Sequence, residues 1–428
     1  MNLSLMRCSR LVKLSLLFGL LLTGAPRAAR AELVFYDKDD WKVYTSGRAE
    51  GHYQLILGDG DPISTSRLVG GQIQNTGSED DKNKLFESRI RSGFVSTQIG
   101  FGVRNQLMPG LQAEGFIGAW LAGIDSGKTP PQSKAFDVRD GWGALTGGFG
   151  RFLFGRAFSI FGSASGEVNN YAFAYAVGHP CLSDVSTIAC GSVGAGPLYA
   201  GYNAQLRYET PRVAGLQAQI SAEDPSSLPH FHITRLPRFE AELSYQAHFG
   251  NAGLFSVKGQ GLVQQLGKVN ATQSGTESRT AWGGLGAARF ELAGLRVGAG
   301  GWTGKGLGTS TALQQDDSSN PLAHDLSGGA FPGDELRSSR GFFGNLGYEY
   351  KGFGAVVGGG GAFMQETVAD AAAVGTSLIR QNIEFHAVLT ARLRSVVFSA
   401  EYMHWKSDWY LGEKQTLNFT GAGCTFEW

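Results

Sequence analysis

Long runs of strict two-residue alternation constrain this chain more than any other feature. Between Arg238 and Phe249 every second residue is apolar, and the residues between them are charged or polar. The same separation recurs from Gln381 to Leu393 and, near the start of the chain, from Trp41 to Leu55. A period of two indicates an extended strand with one apolar and one polar face. These runs exceed the usual soluble strand of about five or six residues, and they match a tilted strand that crosses a bilayer.

The number and spacing of such segments predict the architecture. We count sixteen, at 41–56, 88–104, 111–124, 136–146, 150–156, 199–209, 216–224, 238–249, 254–266, 280–292, 295–303, 338–350, 353–364, 380–393, 396–406 and 416–428. The count is even, as in a bacterial single-chain barrel, and short gaps alternate with long, mostly polar ones. The sequence therefore predicts an all-β fold, a transmembrane antiparallel up-and-down β-barrel of about 16 strands. A soluble exported β-sandwich, which also alternates, is the alternative.

Residues 1–31 have the features of a cleaved signal peptide. Basic residues precede an apolar run at 14–22, and Ala29-Arg30-Ala31 supplies a small-x-small cleavage site before Glu32. We therefore expect an exported protein whose single barrel domain spans 32–428. No second run of about twenty apolar residues follows, which excludes an ordinary helical membrane protein.

Charge and motif content argue against several classes of function. The 37 basic and 37 acidic residues balance, and removal of the leader takes away only basic ones, so the mature chain is acidic. An exported acidic chain is not expected to bind nucleic acid. The phosphate-loop-like stretch at 122–129 is followed by two prolines where a helix must begin, and common hydrolase signatures are absent. We predict no catalytic residues, no metal and no cofactor, and hence not an enzyme.

The alternation stops between residues 157 and 198. This stretch is rich in Ala, Tyr and Phe and has no Lys or Arg. Loops of this length are usually functional or disordered, and the apolar content favours a functional one. Cys181 and Cys190 close a short loop within it, which in an oxidising compartment predicts a disulfide; a zinc site with His179 as third ligand is the alternative. Cys424 has no obvious partner.

With the strands laid out, the chain resembles the Gram-negative general porins over most of its mature length. The opening stretch at 41–53, the Ser88-Arg89-Ile90 triplet and the strand–turn–strand pattern at 202–216 are each similar to family patterns. The terminal Phe426 and Trp428 resemble the aromatic end signal of the family, although most members finish in Phe. No single motif is highly specific, and the resemblance rests on the ordered set.

The resemblance implies that segment 157–198 is the third long loop and folds into the lumen as a constriction. Its acids would be Glu167 and Asp184. They would oppose a ladder of basic residues on the wall: Arg48, Arg89, Arg139 and Arg156. Opposed charges across a narrow waist orient polar solutes. Strand parity places Arg89 and Arg91 on the outer face unless a bulge intervenes. Alternatively, the arginines only pair with neighbouring Glu residues of the wall.

The resemblance also implies a location, partners and a function. We expect a porin of a Gram-negative outer membrane, through which small hydrophilic solutes and ions diffuse passively. Expected partners are outer-membrane lipid and lipopolysaccharide, two further copies in a homotrimer, and the barrel-assembly machinery, which would recognise Phe426 and Trp428. A substrate-specific channel is the first alternative, with a track of aromatic residues: Phe158, Phe161, Tyr171, Phe173 and Tyr175. A barrel enzyme or a soluble binding module would be a different class.

Overall fold

A computed structural model of the chain describes residues 32–60, 68–69, 85–121, 136–180, 189–225, 231–232, 236–250, 253–268, 278–309, 336–372 and 377–428. The first eleven elements are β1 (Leu33–Lys38), β2 (Trp41–Gly60), β3 (Leu68–Val69), β4 (Leu85–Arg91), β5 (Gln98–Met108), β6 (Leu111–Trp120), β7 (Asp137–Gly147), β8 (Gly150–Phe158), α1 (Ser163–Phe173), β9 (His179–Pro180) and β10 (Ala189–Gly191). The others are β11 (Tyr202–Glu209), β12 (Leu216–Glu223), β13 (Phe231–His232), β14 (Arg238–Phe249), β15 (Gly253–Lys268), β16 (Ser278–Leu292), β17 (Leu295–Lys305), β18 (Ser338–Tyr350), β19 (Phe353–Gln365), α2 (Val368–Ala372), β20 (Ser377–Leu393), β21 (Val396–Trp409) and β22 (Lys414–Glu427).

The strands close into one antiparallel barrel. Each wall strand pairs with the next along the chain, and β22 pairs with β2 to complete the ring. Strands β4 and β5 both pair with the same side of β2, so they form one wall strand that is interrupted at 92–97. The wall then has sixteen strands, which confirms the predicted fold class. The predicted strand 88–104 was wrong in one respect, because it is broken where the prediction made it continuous.

The wall has an exposed apolar face and a buried, mostly polar one. On β14, Arg238 and Glu240 are 0% and 1% exposed, whereas Phe239 and Leu243 are 42% and 60% exposed. Successive side chains of a strand point to opposite sides, so this pattern produces an apolar outer band. Such a band is what a bilayer requires of a spanning barrel. Among the described residues, neither helix has the length and hydrophobicity of a membrane span.

Connections differ in length between the two ends of the barrel. At 293–294 and 351–352 both turn residues have positive φ: Ala293 at 50°, Gly294 at 90°, Lys351 at 49° and Gly352 at 84°. Two residues of this kind form the tight turn that matches the twist of a hairpin. At the opposite end the strands are joined by long segments, of which 159–201 between β8 and β11 is described for most of its length.

The two ends of the described chain meet in the wall. The Gly47 and Trp428 backbones exchange N–H···O bonds of 3.0 and 3.1 Å. A Cβ at Gly47 would lie 2.5 Å from the Trp428 ring, so only glycine lets the terminal ring approach this closely. Strand β1 pairs with β2 from Thr45 to Trp41 and continues along the edge at which β22 ends.

The hydrophobic core lies between segment 159–201 and one part of the wall. Phe161 and Val168 of the segment pack with Leu285 and Trp302, and Phe173 packs in a second cluster with Trp405. Most of the partners belong to strands β15–β22, and Ile56 of β2 and Leu85 of β4 join the second cluster. The buried face of these strands is therefore apolar in patches, where it departs from the polar face that alternation predicts.

Candidate functional site

Segment 159–201 consists of three parts. The outgoing limb (159–173) includes α1, the tip (174–176) follows it, and the returning limb (177–201) is held against the outgoing limb. The Ser165 hydroxyl donates to the Leu198 carbonyl at 2.6 Å and accepts from the Leu198 N–H at 3.0 Å. Helix α1 begins after Gly162, whose φ of 95° is a left-handed conformation that favours glycine. The two limbs therefore form one layer with its own internal hydrogen bonds.

Wall carboxylate and amide groups hold the start of the segment. Glu240 accepts the Phe161 N–H at 2.7 Å, and Gln260 accepts the Gly162 N–H at 3.0 Å. Arg238 lies 3.0 Å from Glu240 and also pairs with Glu223, and all three side chains are fully buried. Since removal of one partner would leave a buried charge uncompensated, this group fixes the point where the chain leaves β8.

Helix α1 lies on glycines of the wall. A Cβ at Gly298 would lie 3.0 Å from Val168, and one at Gly347 would overlap the Tyr171 ring. Contacts from α1 reach strands β16 to β20. The Asn345 amide donates to the Val168 carbonyl at 3.1 Å and thereby ties the helix to β18. Glycine is required along this path because the helix approaches the wall backbone directly.

The tip of the segment reaches β2 and the break between β4 and β5. Arg48 donates to the Ala174 carbonyl at 2.5 Å, and the Phe94 N–H donates to the Ala176 carbonyl at 2.9 Å. The Tyr175 hydroxyl donates to Glu427 at 3.2 Å. Burial, with a smaller contribution from Glu427, raises the pKa of Tyr175, so the hydroxyl stays protonated and remains a donor.

The returning limb is bound by β21, β20 and β17. Glu401 accepts the N–H groups of Val177 and Gly178, both at 2.9 Å. The Asn382 amide donates to the Gly194 carbonyl at 3.0 Å, and the Trp302 indole donates to the carbonyl of Gly196. The segment is therefore fixed by hydrogen bonds along both limbs.

Arg48 and Arg139 of the predicted ladder each pair with a wall carboxylate and contact the segment. Arg48 is 5% exposed and lies 2.9 Å from Glu50. The Arg139 guanidinium lies 2.7 Å from Asp137, donates to the Tyr199 hydroxyl at 2.8 Å and lies 3.8 Å above the Trp120 ring. Arg48 thus contacts the tip of the segment, and Arg139 contacts its end.

The other two arginines of the predicted ladder, Arg89 and Arg156, lie on opposite faces of the wall. Arg89 lies 2.6 Å from Glu87 and shares the inner face with buried Arg91. Parity predicted the outer face for both unless a bulge intervenes, and here an interruption does intervene. The physical reason is the break at 92–97, which shifts the alternation between β4 and β5. Arg156 lies on the exposed face with Phe154, so its assignment to the inner ladder was wrong.

Of the two predicted acids of the segment, Glu167 does not face this ladder. Glu167 pairs with Lys258 on β15, and its side chain is 39% exposed. Asp184 and Cys181 lie outside the described residues, so their roles stay predictions. Cys190 is disulfide-bonded, and Cys424 is free and exposed; the pairing of Cys190 with Cys181 also stays a prediction.

Sequence reasoning missed the residues that hold the segment. Glu401, Asn345 and Asn382 are polar residues on polar strand faces, and nothing in the alternation distinguishes them from other polar wall residues. The same holds for Glu240, a carboxylate on the polar face of a very regular strand, whose burial is seen only in the structure.

Comparison with known proteins decides the family. A family model described as Gram-negative porin matches residues 19–302. The chain belongs to the Gram-negative porin family. The comparison with curated protein sequences finds no match.

Solved structures of outer-membrane channels share the fold of this porin. The channel DcaP of Acinetobacter baumannii superposes with a TM-score of 0.64 at 15% identity, covering 92% of this chain and 100% of that chain. The anion-selective porin from Comamonas acidovorans gives 0.57 at 12%, covering 91% and 100%. OmpF of Salmonella typhi, solved in complex with daunomycin, gives 0.54 at 12%, covering 92% and 100%. Family and fold together identify an outer-membrane channel for passive diffusion.

Proposed function

We propose that segment 157–198 occupies the lumen of a trimeric diffusion porin and forms its constriction, which admits small hydrophilic solutes and ions. The observation that carries this proposal is the pattern of hydrogen bonds from the buried wall face to both limbs. The alternate side chains of a closed barrel point to its inside. A segment bound by such side chains from β14 to β22 and by β2 lies across the opening.

The wall arginines of the proposed constriction are themselves paired with carboxylates: Arg48 with Glu50, Arg89 with Glu87 and Arg139 with Asp137. Arg48 contacts the tip of the segment, and Arg89 and Arg139 lie on strands nearby, whereas Glu167 is paired with Lys258. The segment then determines the pore radius more than the pore charge, and ion pairs of the wall supply the polarity near the waist. No covalent chemistry follows from this arrangement, and the function needs no cofactor.

The homotrimer is part of the proposal. A trimeric form of OmpT from Vibrio cholerae is among the structures with this fold, and the exposed apolar face of the wall offers surface both for lipid and for neighbouring copies. Lipopolysaccharide outside and the assembly machinery, acting on the Phe426 and Trp428 end, are the further proposed partners.

The decisive experiment places a label on the segment. Gly166 lies on α1 with open space where a Cβ would stand, so Gly166→Cys should fold normally. We expect a water-soluble thiol reagent to lower the single-channel conductance of this variant in a planar bilayer. The wild type, whose free Cys424 is exposed, is the matched control and should not respond. Labelled Gly166→Cys protein with unchanged conductance would show that the segment is not in the ion path.

A further inference from the structure

The part of the barrel wall that the segment leaves uncovered carries a row of aromatic side chains. Tyr44 pairs in register with Gly102, Gly102 with Phe116, and Phe116 with Trp142. These four positions lie side by side on β2, β5, β6 and β7, so their side chains point to the same face of the wall. At a strand spacing of about 4.8 Å, the row from Tyr44 to Trp142 spans roughly 14 Å.

The rings of this row lie flat on the wall. A Cβ at Gly102 would overlap the Tyr44 ring, and one at Gly100 would overlap the Phe116 ring. The rings of Phe116 and Trp142 are 5.6 Å apart and nearly parallel, and those of Tyr44 and Phe116 are 6.4 Å apart. Glycine backbone thus supports one side of the Tyr44 and Phe116 rings. Tyr44 is only 4% exposed and lies under Arg104, so the aromatic surface open to the lumen is that of Phe116 and Trp142. Phe116 and Trp142 are both partly exposed.

Arginines cover both ends of the row. The Arg104 guanidinium lies 4.2 Å above the Tyr44 ring, and that of Arg151 lies 5.0 Å above Trp142. Each is also paired with a carboxylate: Arg104 with Glu114 at 2.7 Å and Arg151 with Glu209 at 3.2 Å. The exposed aromatic surface therefore lies between two ion pairs that offer donors and acceptors.

The charges around the row cancel. Among the described residues of β5 to β8, β11 and the start of β2, five basic groups have carboxylates close by. The basic residues on the inner face are Lys42, Arg104, Arg139, Arg151 and Arg207, since Arg156 of β8 lies on the outer face, and the acidic ones are Glu114, Asp137, Asp140 and Glu209 together with Glu32 just before β1. An anion or a cation would meet as many repulsive groups as attractive ones.

We propose that this row, with its flanking ion pairs, is a binding site for sugars of neutral charge on their way through the pore. A sugar ring presents C–H groups on its faces and hydroxyl groups around its rim. The faces fit a flat aromatic surface. The hydroxyls both donate and accept, so they match guanidinium groups, which only donate, and carboxylates, which only accept.

The proposal rests on the proposed function, because a solute meets this wall only if the segment leaves that side of the lumen open. The contacts of α1 with β16 to β20 are consistent with that requirement. Register also places the row near the waist, since Gln98 pairs with Arg48 on one side and with Trp120 on the other, four positions along the strand from Gly102.

The test measures ion current through the purified full-length mature protein in a planar bilayer as maltotriose is added. We expect a concentration-dependent block of the wild type. In Trp142→Ala and Phe116→Ala, the half-blocking concentration should rise about three- to tenfold, the effect of losing one aromatic contact. Trp142→Phe should restore most of the affinity. Phe154→Ala, which removes a ring from the exposed face, is the matched control and should leave the block unchanged.

Three results would overturn the assignment. The first is a conducting wild type with no response to maltotriose, and the second is equal block of the wild type and Trp142→Ala. The third is block by benzoate but not by maltotriose, which would make this an anion site of the arginines. Absence of conductance in the wild type would instead contradict the channel on which the proposal depends. Heat-modifiable gel mobility shows that each variant has a folded barrel before it is recorded.

Discussion

Glu401 on β21 provides the sharpest test of how the segment is held. Its carboxylate accepts the N–H groups of Val177 and Gly178 at 2.9 Å, and Gln54 lies 3.5 Å from its other oxygen. Hydrogen bonds to a charged group contribute about 1.5–3 kcal/mol each, and neutral ones about 0.5–1.5 kcal/mol. Glu401→Gln keeps an acceptor but loses the charge, so it should weaken the docking of the segment by about 2 kcal/mol.

Glu401→Ala should have a larger effect. It leaves two buried N–H groups without an acceptor, at about 1–3 kcal/mol each, so the docking should weaken by about 2–6 kcal/mol. Even 2 kcal/mol raises the population of undocked segment about thirtyfold. We therefore expect current fluctuations to become more frequent in the order wild type, Glu401→Gln, Glu401→Ala.

The assay is single-channel recording at fixed voltage, with thermal unfolding in detergent to show that the barrel itself is intact. Glu209→Ala is the control, because Glu209 is a wall carboxylate that pairs with Arg151 and Arg207. If Glu401→Ala conducts with the noise and open times of the wild type, the carboxylate does not hold the segment and the reasoning fails.

Three further predictions follow from individual contacts. Arg48→Glu should move the reversal potential in a salt gradient toward cations, since it reverses the charge beside the tip; an unchanged potential would place Arg48 outside the ion path. The hydrogen bond from Arg104, with Lys42 assisting, lowers the pKa of Glu32 from 4.5 to about 2, so its stabilisation is complete above pH 4.5 and lost as the pH falls toward 2. The difference in melting temperature between wild type and Glu32→Gln should shrink over that range, and a constant difference would contradict it. Gly360→Ala would place a Cβ 2.5 Å from the Ala195 carbonyl, so the conductance should fall as the returning limb moves inward, whereas Gly284→Ala, with no neighbour within 4 Å, should be silent.

The barrel was predictable because its two environments act on alternate residues. Lipid outside and polar surroundings inside impose a period of two, and the runs at Arg238–Phe249 and Gln381–Leu393 carry that period without a break. The number of strands and the alternation of short and long connections follow from counting such runs. Parity carried through a strand fails where the strand is interrupted, as at 92–97, and Arg89 and Arg91, which lie before that interruption, face the inside for this reason.

Arg156 shows a different failure. Phe152 and Phe154 on the same short strand predict an exposed face that Arg156 shares by parity, yet its position in the family pattern led us to place it inside. The structure agrees with the local alternation. Within an unbroken strand such as β8, the two-residue period is the stronger guide because the strand geometry enforces it. At Arg89, which lies next to an interruption, the family position was the better guide.

The inner face has one part that holds the segment, on β14 to β22, and one part that carries the aromatic row, on β5 to β8. This difference could not be predicted, because a period of two shows which face a residue lies on but not what it contacts there. Glu240 and Glu114 are both carboxylates on polar faces, but the first accepts a backbone N–H of the segment and the second accepts from Arg104 and Tyr44 beside the aromatic row. Which role a residue has depends on the strand that lies opposite, and this is set by closure of the whole ring. Substitutions on β14 to β22 should therefore change gating and noise first, whereas those on β5 to β8 should change which solutes bind.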